Sequence, residues 1–428
     1  MTTTAAAAQV VPLRPQRTVL IALCFAAVFI CYVDRVNISL AIVAMTREFG
    51  WNKTTSGFVM SSFFIGYLLT QVPGGFLAGR LGGKHVLAFG VLFWSLFTAL
   101  TPPAAYAGFA VLIAARIAMG MGEGVTFPSI YALFSRWVPA NRRSRAAGLV
   151  FSAIPLGVVC AQLSTPLLVT SFGWPWAFYA FAVLGPLWWL AWQPLTASTP
   201  AEHPHVREEE LREVEGEGAP ATLLAAPSNR ALLGSTAVWA IVIGHFCNNW
   251  SGYVMLSWAP FYLLERFGVD FHAIGLYVMA PSIVSFLCLN GAGALGDALI
   301  TRGLSVVAVR KLMQTIGFGG PAAALLALTQ VQTAEAAVAV MCVSTLLGAA
   351  VAAGFASNHL DIAPRHAGAL MGLSNTAGTI PGVIGVTFSG WLVDVTGSWS
   401  IVFLVAAAIK IFGLAFFLVF AKGEKQFA

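Results

Sequence analysis

Four charged residues interrupt two of the most apolar stretches of the chain. Asp34 and Arg35 lie in the first stretch, and Arg116 and Glu123 lie in a later one. A charge at the centre of a bilayer costs about 2.5–3.5 kcal/mol on insertion scales, so such side chains pair, face a bundle interior or line water. A guanidinium binds a carboxylate or phosphate through paired hydrogen bonds and keeps its proton. A carboxyl group in an apolar cavity can exchange a proton near neutral pH. Together the four residues predict a site for an anion and a proton.

The spacing of the second pair supports this hypothesis. Arg116 and Glu123 are seven residues apart, and two helical turns place them on one face, roughly 10 Å apart along the axis. One helix face then offers a fixed cation and an ionisable acid at different depths. The alternative is that the four charges only neutralise one another, and for Arg116 a gating salt bridge would serve equally well.

The composition indicates a chain that lies in a lipid bilayer. Of 428 residues, 58% are hydrophobic and 9% are charged, whereas a soluble domain has roughly 25% charged residues. The net charge of +6 does not predict nucleic-acid binding, because the basic residues lie in short loops between apolar runs. The six cysteines lie within apolar segments and lack metal-ligand spacing. We therefore expect no metal, cofactor, catalytic residue or nucleic-acid partner, and we expect a monomer in a lipid bilayer rather than an enzyme.

Hydropathy and turn residues predict an all-α integral membrane protein with twelve spans. The first six are expected at 18–45, 55–79, 84–101, 107–135, 146–170 and 175–193. The second six are expected at 233–265, 273–299, 305–328, 335–361, 368–395 and 400–421. The predicted organisation is an N-terminal tail (1–17), a six-helix bundle (18–193), an acidic linker (194–232), a second bundle (233–421) and a C-terminal tail (422–428).

The distribution of basic residues predicts the orientation. Most of the 23 Lys and Arg residues fall on one side if the N-terminus is cytoplasmic, so both termini are expected inside. The N-terminal segment has no recognisable cleavage site, which favours a retained first helix and a bacterial inner membrane.

The two halves resemble each other, as expected of a duplicated bundle. Trp174 and Phe178 open the sixth span, and Trp399 and Phe403 open the twelfth with the same spacing. Pro155 in the fifth span has a counterpart, Pro381, in the eleventh. We therefore predict two pseudo-symmetric six-helix bundles.

Several motifs resemble the major facilitator superfamily and, within it, the anion:cation symporter family. The loop after the second span keeps Arg80, Gly82 and Lys84 of the superfamily marker, with Gly79 in place of its acidic residue. The matching motifs within the spans are Tyr32-Val-Asp34-Arg35-Val-Asn37, Gln71-Val-Pro73-Gly74-Gly75, Arg116-Ile-Ala-Met-Gly120-Met-Gly122-Glu123-Gly124 and Ser374-Asn375-Thr376-Ala-Gly378. The resemblance covers nearly the whole chain and implies a twelve-helix transporter whose helices 1, 4, 7 and 10 line a central cavity.

The resemblance also implies roles for individual residues. Asp34 and Glu123 would be the protonation sites, as in bacterial aldonate symporters. Arg35 and Arg116 would be the candidate anion ligands, with Arg35 favoured. The coupling ion would be H⁺, with Na⁺ as the alternative.

Polar residues on other spans complete the candidate site. The further substrate-contact candidates are Tyr67, Gln71, Asn249, Tyr253 and Asn375. The candidate gate residues are Arg80, Lys84 and Asp297. Lys410 is interpreted as a snorkelling or packing lysine of an outer helix.

Two departures narrow the substrate. Met60 and Asn248 stand where vesicular glutamate transporters have a histidine and an arginine, which argues against glutamate. The stretch from His245 to Trp250 is closer to plastid phosphate transporters. We expect proton-coupled symport of a small organic anion such as a sugar acid, by alternating access. The alternatives are an inorganic phosphate transporter and an exporter or facilitator without proton coupling.

Overall fold

The computed structural model describes residues 16–215, 232–288, 291–364 and 366–427. Most of the predicted N-terminal tail, residues 216–231 of the predicted linker and the last residue of the C-terminal tail therefore lie outside the described residues. All regular elements in the described part are helices.

The first half of the chain forms the helices of one bundle. They are α1 (Gln16–Phe49), α2 (Lys53–Leu81), α3 (Gly83–Ala107), α4 (Phe109–Gly124), α5 (Thr126–Trp137), α6 (Ala140–Phe151), α7 (Ala153–Phe172), α8 (Trp174–Ala182) and α9 (Leu184–Leu195). A 3₁₀ turn, Pro200–Glu202, and a short helix α10 (Glu208–Glu215) follow.

The second half repeats the arrangement. It comprises α11 (Thr236–Phe267), α12 (Ile274–Cys288), α13 (Gly291–Thr301), α14 (Val306–Leu328), α15 (Ala334–Gly348), a 3₁₀ turn (Ala349–Ala353), α16 (Phe355–Ile362), α17 (Ala367–Thr396) and α18 (Trp399–Phe420).

Each predicted span falls on one continuous or interrupted helix of the described residues. Helices α4 and α5 form one span broken at Val125, and α8 and α9 form another broken at Val183. Eight of the described helical segments are long and apolar enough to cross a membrane by length and composition. The third span is longer than predicted, because α3 continues through Pro102 and Pro103 to Ala107.

The two halves meet through equivalent pairs of helices. The second span (α2) packs along the eleventh (α17), and the fifth (α7) packs along the eighth (α12). A twofold axis that exchanges the halves relates each span to the span six positions away in the chain. It therefore relates the second span to the eighth and the eleventh to the fifth, so the two pairs are equivalent. The described helices thus form the expected pair of pseudo-symmetric six-helix bundles.

The halves are joined at one end of the bundle, which we call the closed end. There the ammonium of Lys53 pairs with Glu265 at 2.5 Å, and the backbone amides of Lys53 and Thr54 donate to Asp394 at 3.0 and 2.7 Å. Slightly deeper, the hydroxyls of Ser61 and Thr387 lie 2.6 Å apart. These contacts hold the start of α2 against the end of α17.

The opposite end, the open end, is less tightly packed. Along α17, a Cβ added at Gly382 would contact the ring of Phe64, and one added at Gly385 would contact Trp250. A Cβ added at Gly368 or Gly372 would meet nothing within 4 Å. One face of α17 is therefore uncovered near its first turns, whereas Leu370 and Ser374 on its other faces are buried.

The described part of the acidic linker contacts the first bundle through a buried glutamate, although most of its other charged side chains are exposed. Glu210 is buried, and its carboxylate accepts hydrogen bonds from the backbone N–H groups of Gln16 and Arg17 at 3.1 and 3.2 Å. These N–H groups open α1 and have no acceptor within that helix. Helix α10 thus caps the first span.

Candidate functional site

The candidate site is built around an ion pair between α1 and α4. The Nε and Nη2 atoms of Arg35 donate to Oε2 of Glu123 at 3.0 and 2.8 Å. The thiol of Cys31, one turn before Arg35, donates to the same oxygen at 3.1 Å. Both charged side chains are buried, and Arg35 keeps 7% of its surface exposed while Glu123 keeps none. Two of the four predicted charges therefore meet, and the cation is the accessible partner.

Three aromatic rings surround the guanidinium of Arg35. Its Cζ lies 4.6 Å from the ring centroid of Tyr32, 4.8 Å from that of Tyr67 and 5.0 Å from that of Phe63. Aromatic faces attract cations most strongly where water is absent. The rings limit the positions that the guanidinium can adopt, so an anion that displaced Glu123 would meet a preorganised fork.

Glycines bring α2 and α4 into the contact that positions this pair. A Cβ at Gly120 would overlap the carbonyl oxygen of Phe63, and a Cβ at Gly66 would overlap that of Ile117. A Cβ at Gly124 would come 2.7 Å from the carbonyl oxygen of Tyr67. The absence of side chains at Gly120, Gly122 and Gly124 therefore lets α4 pack closely enough for Glu123 to reach Arg35.

The other two predicted charges are buried apart from this pair. Asp34 is fully buried, and its Oδ2 accepts a hydrogen bond from Nε1 of Trp94 at 3.1 Å. Arg116 is 1% exposed, and its Nη1 contacts the sulfur of Met119 at 2.9 Å. In the described residues no ion pair within 4.0 Å joins Asp34 to a basic group. Asp34 therefore faces the third span instead of joining Glu123.

Each acid has one oxygen without a protein partner. Oδ1 of Asp34 and Oε1 of Glu123 are buried and accept no hydrogen bond from the described residues. A buried charge is costly unless it is fully paired and hydrogen-bonded. Protonation of an unpaired oxygen removes that cost, so both acids can hold a proton.

A cavity of about 510 Å³ lies between the two halves. Its wall is mostly apolar, with polar side chains from both bundles. The polar lining residues are Tyr32, Gln162, Asn248, Asn249, Tyr253, Ser282, Ser285, Ser344 and Thr345. Cavities of this size and character are typical of small-molecule sites.

The Arg35–Glu123 pair lies next to the cavity but does not line it. Tyr32 lines the cavity and also contacts Arg35. Tyr253 lines it as well, and Phe64 packs behind Tyr253 with ring centroids 4.6 Å apart. The expectation that helix 4 lines the cavity is wrong in this conformation, because these rings separate α4 from the cavity.

Amide groups on α11 form the polar part of the cavity wall. The ammonium of Lys410 donates to Oδ1 of Asn248 at 3.0 Å, and Nδ2 of Asn248 donates to Oδ1 of Asn249 at 3.3 Å. Nδ2 of Asn249 then donates to the carbonyl oxygen of Gly378 at 2.9 Å. The chain of hydrogen bonds runs from α18 through α11 to α17 and fixes the orientation of both amides.

The remaining predicted contacts do not line the cavity. Tyr67 lies against Arg35, as described above. Gln71 is one turn further along α2, and its side-chain oxygen is buried without a partner among the described residues. Asn375 is half-buried on α17. Of the seven predicted substrate contacts, Asn249 and Tyr253 line the cavity.

The predicted gate residues lie near the open end. Arg80 and Asp297 are exposed. The ammonium of Lys84 donates to the backbone carbonyls of Gln193 and Thr196 at 3.0 and 2.6 Å. Lys84 therefore anchors the end of the sixth span.

Sequence reasoning missed several contributors. Gln162 on α7 lines the cavity and accepts a hydrogen bond from Ser282 of α12 at 2.9 Å. A glutamine inside an apolar span could have indicated this role. Of the two interpretations of Lys410, packing fits and snorkelling does not, because its side chain is 3% exposed and points into the bundle. The expectation that it lies on an outer face of the bundle is wrong.

Two histidines form a second polar cluster. The hydroxyl of Ser374 lies 2.8 Å from Nε2 of His359 and 3.3 Å from Nδ1 of His245. The serine thus joins α11, α16 and α17 near the open end. No group of three His, Cys, Asp or Glu side chains suited to a metal occurs in the part of the chain that the structure describes.

These features define a class of protein. Two six-helix bundles, a cavity between them and buried charges beside that cavity are the arrangement of a multi-pass membrane transporter. A family model for the Major Facilitator Superfamily matches residues 24–386.

Relatives of known type agree with this class. The chain is 42% identical to a chloroplastic ascorbate transporter of Arabidopsis thaliana, over 96% of this chain and 76% of the relative. It is 41% identical to a chloroplastic sodium-dependent phosphate transport protein of the same plant, over 96% of this chain and 80% of the relative. Human sialin is 35% identical, over 94% and 89% of the two chains.

Solved structures support the fold. An inward-facing, occupied bacterial homologue of the human lysosomal transporter Spinster matches with a TM-score of 0.76 at 15% identity, over 95% of this chain and 97% of that one. The inward-open xylose transporter XylE from E. coli matches with a TM-score of 0.74 at 14% identity and the same coverage. The chain therefore belongs to the Major Facilitator Superfamily and, through its relatives, to the anion:cation symporter family. It is a multi-pass membrane transporter and not an enzyme.

Proposed function

We propose that this transporter carries a small organic anion, such as a sugar acid, together with a proton by alternating access. The observation that carries the proposal is the pairing of Arg35 with Glu123 behind the cavity wall. The cation that would bind the anion is held by the acid that would carry the proton.

Competition for the guanidinium would couple the two solutes. In the solute-free pair, Arg35 donates two hydrogen bonds to one oxygen of Glu123. An anion that takes over this fork leaves the carboxylate buried without a counter-ion, a state that favours proton uptake. A proton on Glu123 in turn frees Arg35 for the anion. Each solute therefore favours binding of the other, as symport requires.

Asp34 is the second proposed proton site. Its neutral donor, Trp94, and its unpaired Oδ1 suit a carboxyl group that is protonated during part of the cycle. Because Asp34 and Arg35 are adjacent on α1, a change of charge at one is felt at the other.

The cavity favours a hydroxylated anion. Gln162, Asn248, Asn249 and Ser282 present donors and acceptors that suit the hydroxyl groups of a sugar acid. The relative named as an ascorbate transporter supports this class. The relative named as a phosphate transport protein supports inorganic phosphate as the second candidate.

A transport assay tests the coupling. We expect purified protein in liposomes to accumulate ascorbate, glucuronate or phosphate when an inward proton gradient is imposed, and a sodium gradient serves as the parallel arm. Glu123→Gln removes the ionisable group but keeps an acceptor for Arg35. We expect it to abolish gradient-driven accumulation while solute counterflow continues.

The matched control is Glu335→Gln, which alters an exposed carboxylate at the start of α15. It should leave accumulation unchanged. Gradient-driven accumulation by Glu123→Gln at the wild-type level would show that the Arg35–Glu123 pair is only a gate. Accumulation driven by sodium alone would replace the proton as the coupling ion.

We also propose that both termini face the cytoplasm of a bacterial inner membrane and that the monomer is the transporting unit. The support is the bias of basic residues toward one side of the predicted topology. A C-terminal green fluorescent protein fusion should fluoresce in the host, and a dark fusion of normally inserted protein would reverse the orientation.

A further inference from the structure

Helix α18 places one charged side chain in the interior of the second bundle. Lys410 is 3% exposed. Its ammonium donates a hydrogen bond to Oδ1 of Asn248 at 3.0 Å and lies 4.4 Å from the ring centroid of Phe318. Among the described residues, no carboxylate lies within 4.0 Å of it. The ammonium therefore has a neutral acceptor and an aromatic face but no counter-ion.

Other buried charges of the spans are balanced. Asp34, Arg35, Arg116 and Glu123 contribute two charges of each sign to the first bundle. In the second bundle, Nε and Nη2 of Arg310 donate to the two oxygens of Asp361 at 2.7 and 3.1 Å. Arg116 also has no carboxylate within 4.0 Å, but two acidic side chains are buried in its own bundle. Within the described spans of the second bundle, Lys410 is thus the buried charge that no acidic side chain balances.

The position of this charge relates it to the cavity. Asn248 lines the cavity and separates it from Lys410 by a single amide group. Because Lys410 holds the amide oxygen, the Nδ2 donor of Asn248 is directed away from the lysine toward Asn249, which also lines the cavity. The lysine therefore acts on the cavity through its field and through the donors that it orients.

We propose that Lys410 is a specificity-determining residue that favours a negatively charged solute in the cavity and positions Asn248 to contact it. An unpaired buried cation is costly in the empty transporter, and an anion in the neighbouring cavity offsets that cost. In the solute-free transporter Glu123 holds Arg35 of the first bundle, whereas Lys410 has no acidic partner among the described residues. The lysine therefore adds to the preference for anions that Arg35 would provide. The proposal rests on the proposed function in one respect, which is that the solute is an anion.

Three variants in the liposome assay test this role, with ascorbate, glucuronate and phosphate as probes. Lys410→Met keeps the length and apolar stem of the side chain but removes its charge. We expect it to raise the KM of the best-transported probe about tenfold or more, with a smaller change in kcat. Lys410→Arg keeps the charge and should retain a KM close to that of the wild type.

Asn248→Asp provides the third variant, since it keeps Lys410 and gives the ammonium a carboxylate partner. Its cancelled charge should raise KM as Lys410→Met does. If Lys410→Met fails to fold, an unchanged KM in Asn248→Asp is by itself enough to overturn the proposal, because Asn248 lines the cavity. An unchanged KM in folded Lys410→Met, or in Asn248→Asp, would overturn the proposal. An equal rise in Lys410→Met and Lys410→Arg would also overturn it, because it would indicate packing.

If the wild type takes up none of the three anions, the proposed function fails and the role of Lys410 fails with it. Uptake by the wild type with the same KM in Lys410→Met refutes the lysine proposal alone. The two failures are therefore distinguishable.

Discussion

The two bundles treat polar groups differently. In the first bundle, Arg35 and Glu123 are ionisable groups in direct contact, and Gly120 lets α2 and α4 pack closely beside them. In the second bundle, neutral amides line a cavity, and one lysine stands behind them. At the candidate site, the first bundle thus supplies an ion pair behind the cavity wall, and the second bundle supplies amides that line the cavity itself.

This difference suggests a division of work. A proton-carrying acid needs a dry, rigid setting in which its two charge states have different partners. A hydroxylated solute needs room and oriented donors. One site would have to satisfy both requirements in the same place. Here the ring of Tyr32 lies between the ion pair and the cavity and touches both, so a change at one can affect the other.

The largest expected effect distinguishes the two arginines of the first bundle. Arg35→Met should lower kcat/KM for the transported anion by at least about 100-fold, since it removes a charge-assisted fork. Arg116→Met should lower it by about tenfold or less, because Arg116 contacts Met119 and lies away from the cavity wall. Initial rates of uptake into liposomes measure both.

Folding has to be separated from binding in this comparison. Arg35→Met leaves Glu123 buried without a counter-ion, so the double variant with Glu123→Gln serves as the control for misfolding. Arg35→Lys keeps the charge without the fork and should recover activity only in part. A defect in Arg116→Met as severe as that in Arg35→Met would reverse the assignment of the anion ligand.

The next effect concerns packing. Gly120→Ala should destabilise the transporter by about 1–3 kcal/mol, because its Cβ overlaps the backbone of α2, which cannot move aside without bending the helix. The control is Gly252→Ala on α11, where a Cβ meets nothing within 4 Å. Thermal unfolding of the purified protein in detergent measures both.

Unfolding temperatures that fall equally in the two variants would contradict the contrast between the tight α2–α4 contact at Gly120 and the open position of Gly252. Gly252→Ala should leave the unfolding temperature unchanged or raise it slightly, since alanine favours the helix over glycine.

Much of the fold followed from the sequence because hydropathy alone defines where a chain can cross a membrane. That guanidinium and carboxyl groups of the first and fourth spans meet also followed in outline, since buried charges on neighbouring spans have few alternatives. The water-filled pocket expected around them did not follow, because Glu123 has no exposed surface and neither Arg35 nor Glu123 lines the cavity. The separation of Asp34 from that pair did not follow. Whether a side chain of α1 faces α3 or α4 depends on the rotation of the helix about its axis, which hydropathy does not define when the helix is buried all round.

The role of Lys410 could not be predicted for a different reason. The sequence shows a lysine in an apolar span, which is equally consistent with snorkelling and with an inward direction. Only the packing of α18 against α11, together with an acceptor at Asn248, decides between them. The cavity wall depends likewise on contacts between distant spans, such as that of Gln162 with Ser282.

The smallest expected effect concerns the linker, which the described residues attach to the first bundle. Glu213 of α10 pairs with Arg17 of α1 at 2.8 Å and with Arg142 of α6 at 3.4 Å. The hydrogen bond from Arg17 lowers the pKa of Glu213 below its usual value. Since 45% of the Glu213 side chain is exposed, the pair should stabilise the protein by only about 0.2–1 kcal/mol.

The lowered pKa gives this contribution a defined pH dependence. Ionised Glu213 stabilises the folded state above the pKa of the unfolded chain, about 4.3, and the contribution is lost as the pH falls through the lower folded-state pKa. Glu213→Gln should therefore unfold at a slightly lower temperature than the wild type near neutral pH, and the difference should vanish in acid. The control is Glu208→Gln, whose partner Arg212 lies on α10 itself, so its loss detaches nothing from the bundle. If Glu208→Gln changed the unfolding temperature as much as Glu213→Gln, helix propensity within α10 would explain the effect. The linker would then contribute nothing to the stability of the first bundle.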